Sequence, residues 1–195
     1  MSEIHRRTLI KQLAAGSLVV GSLPAMAATC SSSSSASKNR KLLNNINHSV
    51  CRWTYSFLSL DELCKTVKDI GFSAIDLVGP KDWPTLKTHG VFSSMCNGAE
   101  IGINEGWNDK QYHARLIKSY TEHIDLVAKA GYKNLICFSG ARKGMDDETG
   151  LKNCTEGLKQ IMAAAEKAGV IVQMELLNSK INHKDYMCDR SSWGV

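Results

Sequence analysis

The sequence predicts an α/β protein of the (β/α)8 TIM-barrel type, with about the first five strand–helix units present. One observation is a repeated unit, in which an amphipathic helix, a glycine and a short apolar strand follow one another at Gly71, Gly131 and Gly169. Strands that alternate with helices pair in parallel, as in an open doubly wound sheet or a closed barrel. No G-x-G-x-x-G follows the first strand, which weakens the dinucleotide-binding version of the open sheet. The phasing of the strands favours the barrel.

The elements can be assigned in order along the chain. A first strand lies in HSVCRW, and Ser59 with Glu62 forms an S-x-x-E capping box at the start of the first helix. Each repeated glycine falls where a helix ends with a left-handed cap. The predicted strands cover about 48–53, 73–79, 91–97, 133–139 and 170–177, and the predicted helices cover 60–70, 82–89, 109–130 and 148–168.

Side chains alternate between two faces along each strand, and the phase distinguishes a barrel interior from a helix-covered exterior. In the last strand, Gln173 and Glu175 share one face, which turns polar toward the carboxyl end, where barrels place their chemistry. In the second strand, Ala74 and Asp76 are assigned to the same inner face. The outer, helix-covered face is assigned Ile75, Leu77, Ile136, Phe138, Val172, Met174 and Leu176, with Leu135, Cys137 and Ser139 inside.

Glu175 interrupts the strand-forming run VIVQMELLNSK and would point into the barrel near its mouth. A buried carboxylate is costly unless it has a cation, a network of donors or a proton. A structural glutamate held by an arginine is the alternative interpretation.

The first 46 residues are typical of an export leader and a tether. Arg6 and Arg7 precede an apolar run with a small-residue end, so residues 1–28 are predicted to be a twin-arginine signal peptide that directs the protein to the periplasm. The apolar run is too short to span a membrane. Residues 29–46, rich in serine, are predicted to form a disordered tether in which Cys30 is a candidate lipid anchor, although Ala27-Ala28-Thr29 is a poor context for it. A disordered basic start is the alternative, and 47–195 is the predicted barrel domain.

The distribution of charge and the spacing of the cysteines argue against several classes of protein. The net charge of +5 belongs to the leader and tether, since 18 Lys and Arg face 18 Asp and Glu from residue 42 onward. The domain therefore lacks the excess of positive charge that is typical of nucleic-acid-binding proteins. The seven cysteines include no C-x-x-C pair, so neither a zinc knuckle nor a disulfide framework is indicated. We expect buried free thiols.

Four segments resemble a known family: DLVGPKDWPTLKTHG, NGAEIGINEGWND, NLICFSGARKGMDDETG and, most specifically, MELLNSKINHKDYMCDRSSWGV. They are similar to the hydroxypyruvate isomerase-like branch of the sugar isomerase/epimerase barrels, which are xylose isomerase-like TIM barrels. The resemblance covers about 48–195. It implies a metal-dependent isomerase or epimerase of small hydroxy-carbonyl compounds or sugars, of the type that interconverts hydroxypyruvate and tartronate semialdehyde.

The resemblance also implies roles for single residues. Glu175 matches the family glutamate that ligates a divalent metal, Mg²⁺ or Mn²⁺, and lies beside the reacting carbons. Asn97, Arg142, Asn178 and His183 are the candidate substrate-binding residues. The alternatives are a turn-forming role for Asn97, a solvated loop arginine at Arg142 and an exposed loop histidine at His183. The tryptophans at 83, 107 and 193 could line a mouth or serve in packing, and His113 and His123 are interpreted as ordinary helix residues.

A complete barrel runs to about 250 residues. Because residues 42–195 number 154, the resemblance implies that the remaining metal ligands and a second catalytic glutamate lie beyond residue 195. A catalytically incomplete fragment or a non-catalytic binding paralogue is the second hypothesis, and an endonuclease IV-like metal nuclease is the third. The expected partner is a small hydroxy-carbonyl or sugar substrate, and a homo-oligomer is compatible with the sequence.

Overall fold

The structure is a computed structural model that describes residues 46–195. The predicted signal peptide, the serine-rich tether and Cys30 lie outside the described residues. Five parallel strands form one sheet: β1 (Ser49–Cys51), β2 (Ala74–Val78), β3 (Phe92–Cys96), β4 (Asn134–Cys137) and β5 (Ile171–Met174). Their spatial order is their order in the chain. A doubly wound sheet reverses its direction at a switch point, whereas a barrel adds each strand beside the last. The observed order is therefore that of a barrel wall.

A helix lies in each of the four connections, as parallel pairing requires. The helices are α1 (Leu60–Ile70), α2 (Trp83–Thr88), α3 (His113–Ala130), α4 (Asp147–Ala168) and the short α5 (Ser191–Gly194), with 3-10 turns at Arg52–Tyr55 and Lys110–Tyr112. Within 46–195, none of these helices has the length and apolarity that crossing a membrane demands.

Local sequence determines where the helices begin and end. The Ser59 hydroxyl accepts from the Glu62 amide at 3.2 Å, and the Glu62 carboxylate accepts from the Ser59 amide at 2.9 Å, which confirms the capping box. Gly71, Gly131 and Gly169 follow α1, α3 and α4 with φ of 97°, 82° and 68°. This left-handed conformation costs a glycine little because it has no Cβ, and the three predicted caps are confirmed.

The core lies between the sheet and the helices. Its largest fully buried side chains come from both layers, and the Tyr120 hydroxyl on α3 donates to the Ile136 carbonyl of β4 at 3.0 Å. These side chains include Leu63, Ile75, Leu116, Tyr120, Ile124, Leu135 and Ile161.

The predicted phase of β4 is wrong. Ile136 pairs with Gln173 of β5, and both line the inner cavity. The alternation of the strand therefore turns Leu135 and Cys137 toward the helices, where both are buried. A parallel strand in a barrel is apolar on both faces, so its residue types do not reveal which side faces the helices.

The predicted outward position of Leu77 is also wrong. The pairing of β2 with β3 shifts register on both sides of Asp76, and Leu77 has a φ of 57°. This irregularity places Leu77 in the lining of the inner cavity, while Val78 pairs with Cys96 and is buried. A positive φ is uncommon for a side chain such as leucine, and strained backbone of this kind concentrates at functional sites.

Candidate functional site

A cavity of about 460 Å³ opens on the inner face of the sheet, toward the carboxyl ends of the strands. Enzymes with this architecture place their active sites at that end. All five strands contribute to its wall, which is formed by Cys51, Trp53, Asp76, Leu77, Ser94, Met95, Ile136, Gln173, Met174 and Glu175.

Glu175 lies in this wall just after β5. Its amide donates to the Cys137 carbonyl at 3.0 Å, and its own carbonyl accepts from the Tyr186 hydroxyl at 2.9 Å. Burial raises the pKa of the Glu175 carboxyl, and the charge of His183 partly opposes that rise. Raising the pKa of a carboxylate brings it closer to that of a useful general base. The predicted inward placement of Glu175 is confirmed.

Asp76 is a second carboxylate in the same wall. The Ser49 hydroxyl donates to one of its oxygens at 2.7 Å, and the Ser94 hydroxyl donates to the other. These donors fix the Asp76 carboxylate across β1, β2 and β3. The inward phase of Asp76 was readable in the sequence, but its place among the site residues was missed, because the two serines belong to other strands.

An amide pair continues the polar wall toward β5. Gln173 Nε2 donates to Asn134 Oδ1 at 2.9 Å, and Asn134 Nδ2 donates to the Ser94 carbonyl at 2.8 Å. Here β3 and β4 share only the Cys96–Leu135 register pair. The Asn134 side chain thus supplies a hydrogen bond between two sparsely paired strands.

Trp53 is the aromatic side chain of the cavity, and it follows β1 with 69% of its surface exposed. The three tryptophans considered in the sequence behave differently. Trp83, Trp107 and Trp193 are buried in the core, so packing is the correct interpretation for each.

Arg142 is not part of the cavity wall. Its guanidinium donates to the Asp147 carboxylate at 3.1 Å, to the Met187 carbonyl at 3.0 Å, to the Asp189 carboxylate at 3.3 Å and to the Tyr186 carbonyl. Each guanidinium nitrogen thus has a protein acceptor. These contacts contradict the solvated-loop alternative, since Arg142 fastens residues 186–189 to the start of α4. Its substrate-binding role stays a prediction.

The other three predicted residues lie in the segments that follow β3 and β5. His183 is half-buried and acts electrostatically on Glu175. Asn178 is exposed, its side chain accepts from the Lys180 amide at 2.9 Å, and its carbonyl accepts from the His183 amide at 3.0 Å. Asn97 follows β3 beside Gly79, where a Cβ would meet the Asn97 carbonyl at 3.3 Å. Neither asparagine lines the cavity, so their substrate-binding role stays a prediction.

A divalent metal needs several ligand atoms at one place. Across residues 46–195, no three His, Cys, Asp or Glu side chains cluster closely enough to hold an ion. Mg²⁺ takes six ligands in octahedral array, whereas the cavity wall carries two carboxylates, Asp76 and Glu175. The described residues therefore do not form a metal site by themselves, although the Glu175 carboxylate is a ligand of suitable chemistry.

No family model matches the chain, and no curated protein matches it either. Solved structures do share its fold. The IolI protein with a bound zinc atom aligns with a TM-score of 0.61 at 13% identity, over 76% of this chain and 56% of its own. D-psicose 3-epimerase with D-tagatose from Clostridium cellulolyticum H10 aligns with a TM-score of 0.56 at 15% identity, over 77% and 58%.

An AP endonuclease of family 2 from Brucella melitensis aligns with a TM-score of 0.55 at 17% identity, over 73% of this chain and 59% of its own. At such identities the likeness shows the fold alone. The chain is thus a (β/α)8-type partial barrel of five units. It spans less than three-fifths of the length of each of these three structures.

Proposed function

We propose that this chain carries the catalytic wall of a sugar isomerase or epimerase, with Glu175 as the base that exchanges a proton on the substrate carbon. The observation that carries the proposal is the half-buried Glu175 carboxylate in a cavity large enough for a small carbohydrate. Solved structures with this fold have different named functions: one is a D-psicose 3-epimerase and another is an AP endonuclease. The fold alone therefore does not select this activity.

The reaction moves a proton beside a carbonyl. In an aldose–ketose isomerisation, a base takes the proton from the carbon that bears a hydroxyl and returns it to the adjacent carbon. In an epimerisation, a second acid on the opposite face delivers a proton to the same carbon, and the resemblance implies a second glutamate for that role. A carboxylate with a raised pKa suits both reactions, because in each it takes the proton from carbon, and in the isomerisation it also returns it.

The rest of the wall provides groups for a polyhydroxylated substrate. The Asp76 carboxylate can accept from substrate hydroxyls, and the Trp53 ring offers an apolar face to the C–H groups of a sugar. The resemblance implies a divalent cation as the electrophile on the substrate oxygens, with Mg²⁺ or Mn²⁺ the expected ion. Its ligand set is not completed within 46–195. The specific reaction that we propose is the conversion of hydroxypyruvate to tartronate semialdehyde.

The test uses the intact gene product in D₂O with hydroxypyruvate and a panel of ketohexoses, with and without added Mg²⁺ or Mn²⁺. Incorporation of deuterium at the carbon beside the carbonyl, followed by NMR, reports the proton transfer itself. Glu175→Gln keeps the side-chain shape and removes the base, so the rate should fall by about 10²–10⁴-fold with an unchanged circular dichroism spectrum.

Glu166→Gln on α4 is the matched control and should leave the rate unchanged. Normal exchange in Glu175→Gln would show that Glu175 is only a structural acid. Binding of a sugar without any deuterium exchange in the wild type would instead favour a non-catalytic binding protein.

Export to the periplasm through the twin-arginine route is a separate proposal. All six described cysteines are free, and five of them are buried, as suits a protein that folds before export. Replacing Arg6 and Arg7 by lysines should leave the protein in the cytoplasmic fraction. Periplasmic recovery of that variant would contradict the proposed route.

A further inference from the structure

Residues 185–188 lie between the exits of β4 and β5. On the β4 side, Tyr186 forms an antiparallel bridge with Ala141, and the Met187 amide donates to the Gly140 carbonyl at 2.9 Å. On the β5 side, the Leu177 amide donates to the Cys188 carbonyl at 3.1 Å. Beyond Glu175, the chain that follows β4 and the chain that follows β5 therefore pair with this short segment instead of with each other.

The Tyr186 side chain reaches both strand exits from within that segment. It is 1% exposed. Its hydroxyl accepts from the Ser139 amide at 3.0 Å and donates to the Glu175 carbonyl at 2.9 Å. One buried hydroxyl thus joins the backbone after β4 to the backbone after β5.

The Tyr186 hydroxyl can donate throughout the physiological range. Burial raises the pKa of the phenol well above its ordinary value, so the group stays protonated. The hydroxyl is also shielded from water, which would otherwise compete for the Glu175 carbonyl. Leaving that carbonyl and the Ser139 amide unpaired in a buried place would carry a desolvation penalty.

The Glu175 carboxylate has no comparable restraint of its own. Within 46–195, neither of its oxygens accepts a hydrogen bond, whereas the Asp76 carboxylate accepts from two serine hydroxyls. The direction of the Glu175 side chain therefore depends on its backbone, which is fixed by the Cys137 carbonyl on one side and by Tyr186 on the other.

We propose that Tyr186 is the positioning residue for Glu175: its hydroxyl fixes the backbone that aims the carboxylate into the cavity. The catalytic consequence rests on the proposed function, whereas the positioning itself can be tested without turnover. Tyr186 acts through Glu175 and does not touch the substrate.

The experiment compares Tyr186→Phe with Tyr120→Phe, both in the intact protein. Tyr120 is a matched control, because its buried hydroxyl also donates to a strand carbonyl, that of Ile136 at 3.0 Å, but from the helix side. Three-bond NMR couplings report the χ1 rotamer of Glu175, and amide hydrogen exchange reports the protection of Ser139. Neither measurement requires a substrate.

Tyr186→Phe should change the Glu175 couplings from those of one rotamer to averaged values. It should also speed exchange of the Ser139 amide by about tenfold, the equivalent of one lost hydrogen bond. Tyr120→Phe should leave both readouts as in the wild type, even where the two variants lose similar overall stability. Unchanged Glu175 couplings in Tyr186→Phe, or equal changes in both variants, would overturn the proposal.

Two further arms complete the test. If Tyr186→Phe does not fold, Arg142→Lys loosens the same segment by removing contacts to the Tyr186 and Met187 carbonyls, and the same coupling change is expected or the proposal fails. In the deuterium-exchange assay, Tyr186→Phe should lower the rate constant more than it changes KM. If Tyr186→Phe alters the Glu175 couplings but the wild type shows no deuterium exchange, the positioning role is supported and the proposed function is rejected.

Discussion

Two carboxylates face the same cavity in different surroundings. Asp76 has a serine hydroxyl on each oxygen, which holds it in place as an acceptor. The Glu175 carboxylate has no assigned donor within 46–195, and burial raises its pKa. A group whose neighbours leave it free to exchange a proton is suited to acid–base work, whereas a group engaged by fixed donors is suited to orienting a ligand. At the residue scale, we therefore propose that Glu175 transfers the proton and that Asp76 orients the substrate.

Gly106 shows how closely the backbone packs against the exit of β4. A Cβ on Gly106 would lie 2.2 Å from the Gly140 amide nitrogen and 2.3 Å from the Ser139 carbonyl carbon. Because backbone atoms cannot turn aside as a side chain can, Gly106→Ala should cost about 3 kcal/mol of unfolding free energy, the upper end for overpacking. Urea denaturation measures the loss.

Gly79→Ala provides the comparison, since its nearest contact would be 3.3 Å from the Asn97 carbonyl oxygen. That substitution should cost about 1 kcal/mol or less. Equal losses in the two variants would mean that the Gly106–Gly140 approach is not close.

At the scale of elements, the start of α4 connects the cap of the helix with the carboxyl-terminal segment. Asp147 accepts from Arg142 at 3.1 Å and from Arg190, and its carbonyl accepts from the Trp193 indole at 2.9 Å. The bonds from Arg190 and Trp193 join residues more than 40 positions away to the first turn of one helix. The mouth of the cavity therefore depends on α4 as well as on the strands.

The N-cap of α4 should make stability depend on pH. Asp146 accepts from the Thr149 amide at 2.8 Å, and this bond lowers the pKa of the Asp146 carboxyl. A lowered folded-state pKa means that the stabilisation is complete above the unfolded value, near 4, and is lost as the pH falls through the folded value. Asp146→Asn keeps a capping side chain without the titrating charge.

The urea midpoint of the wild type should exceed that of Asp146→Asn at pH 7, and the difference should shrink toward pH 2.5. The subtraction removes the contribution of other carboxylates, which both proteins share. A difference that is constant across this range would show that the charge of Asp146 does not contribute.

At the scale of the whole molecule, the described sheet has two edges, β1 and β5, with large apolar side chains exposed near both. Trp53 follows β1, whereas Ile171 on β5 and Ile181 beyond it are 56% and 71% exposed. Unpaired strand edges with apolar side chains template association. We therefore predict that the purified chain associates through these edges, either into a homo-oligomer or into aggregates.

Ile171→Lys should reduce this association, because a charge on an edge strand opposes pairing with another strand. Leu151→Lys on α4 is the control, since it makes the same charge change at an exposed apolar side chain away from the sheet. Sedimentation velocity at several concentrations, with a hydrophobic dye, measures the effect. A wild-type chain that stays monomeric and does not bind the dye would contradict the prediction.

Local residue patterns in the sequence were sufficient to predict much of the fold. Ser59 and Glu62 cap α1, three glycines end their helices, and the alternation of helices and strands implies parallel pairing. The inward phase of Glu175 was equally readable, because a carboxylate set into an apolar strand marks the polar face. Each of these features depends on residues within about one helical turn or on the period of one strand.

The sequence by itself thus determined the elements, their parallel order and the face that carries Glu175. Only the tertiary structure decided that Ile136 faces the cavity, since a strand buried on both sides carries no phase in its residue types. It also decided that Arg142 fastens a segment 44 residues away, and that the Tyr186 hydroxyl joins the exits of two strands. Such partners meet because the barrel wall brings distant strand ends to one edge, and no local pattern in the chain encodes that meeting.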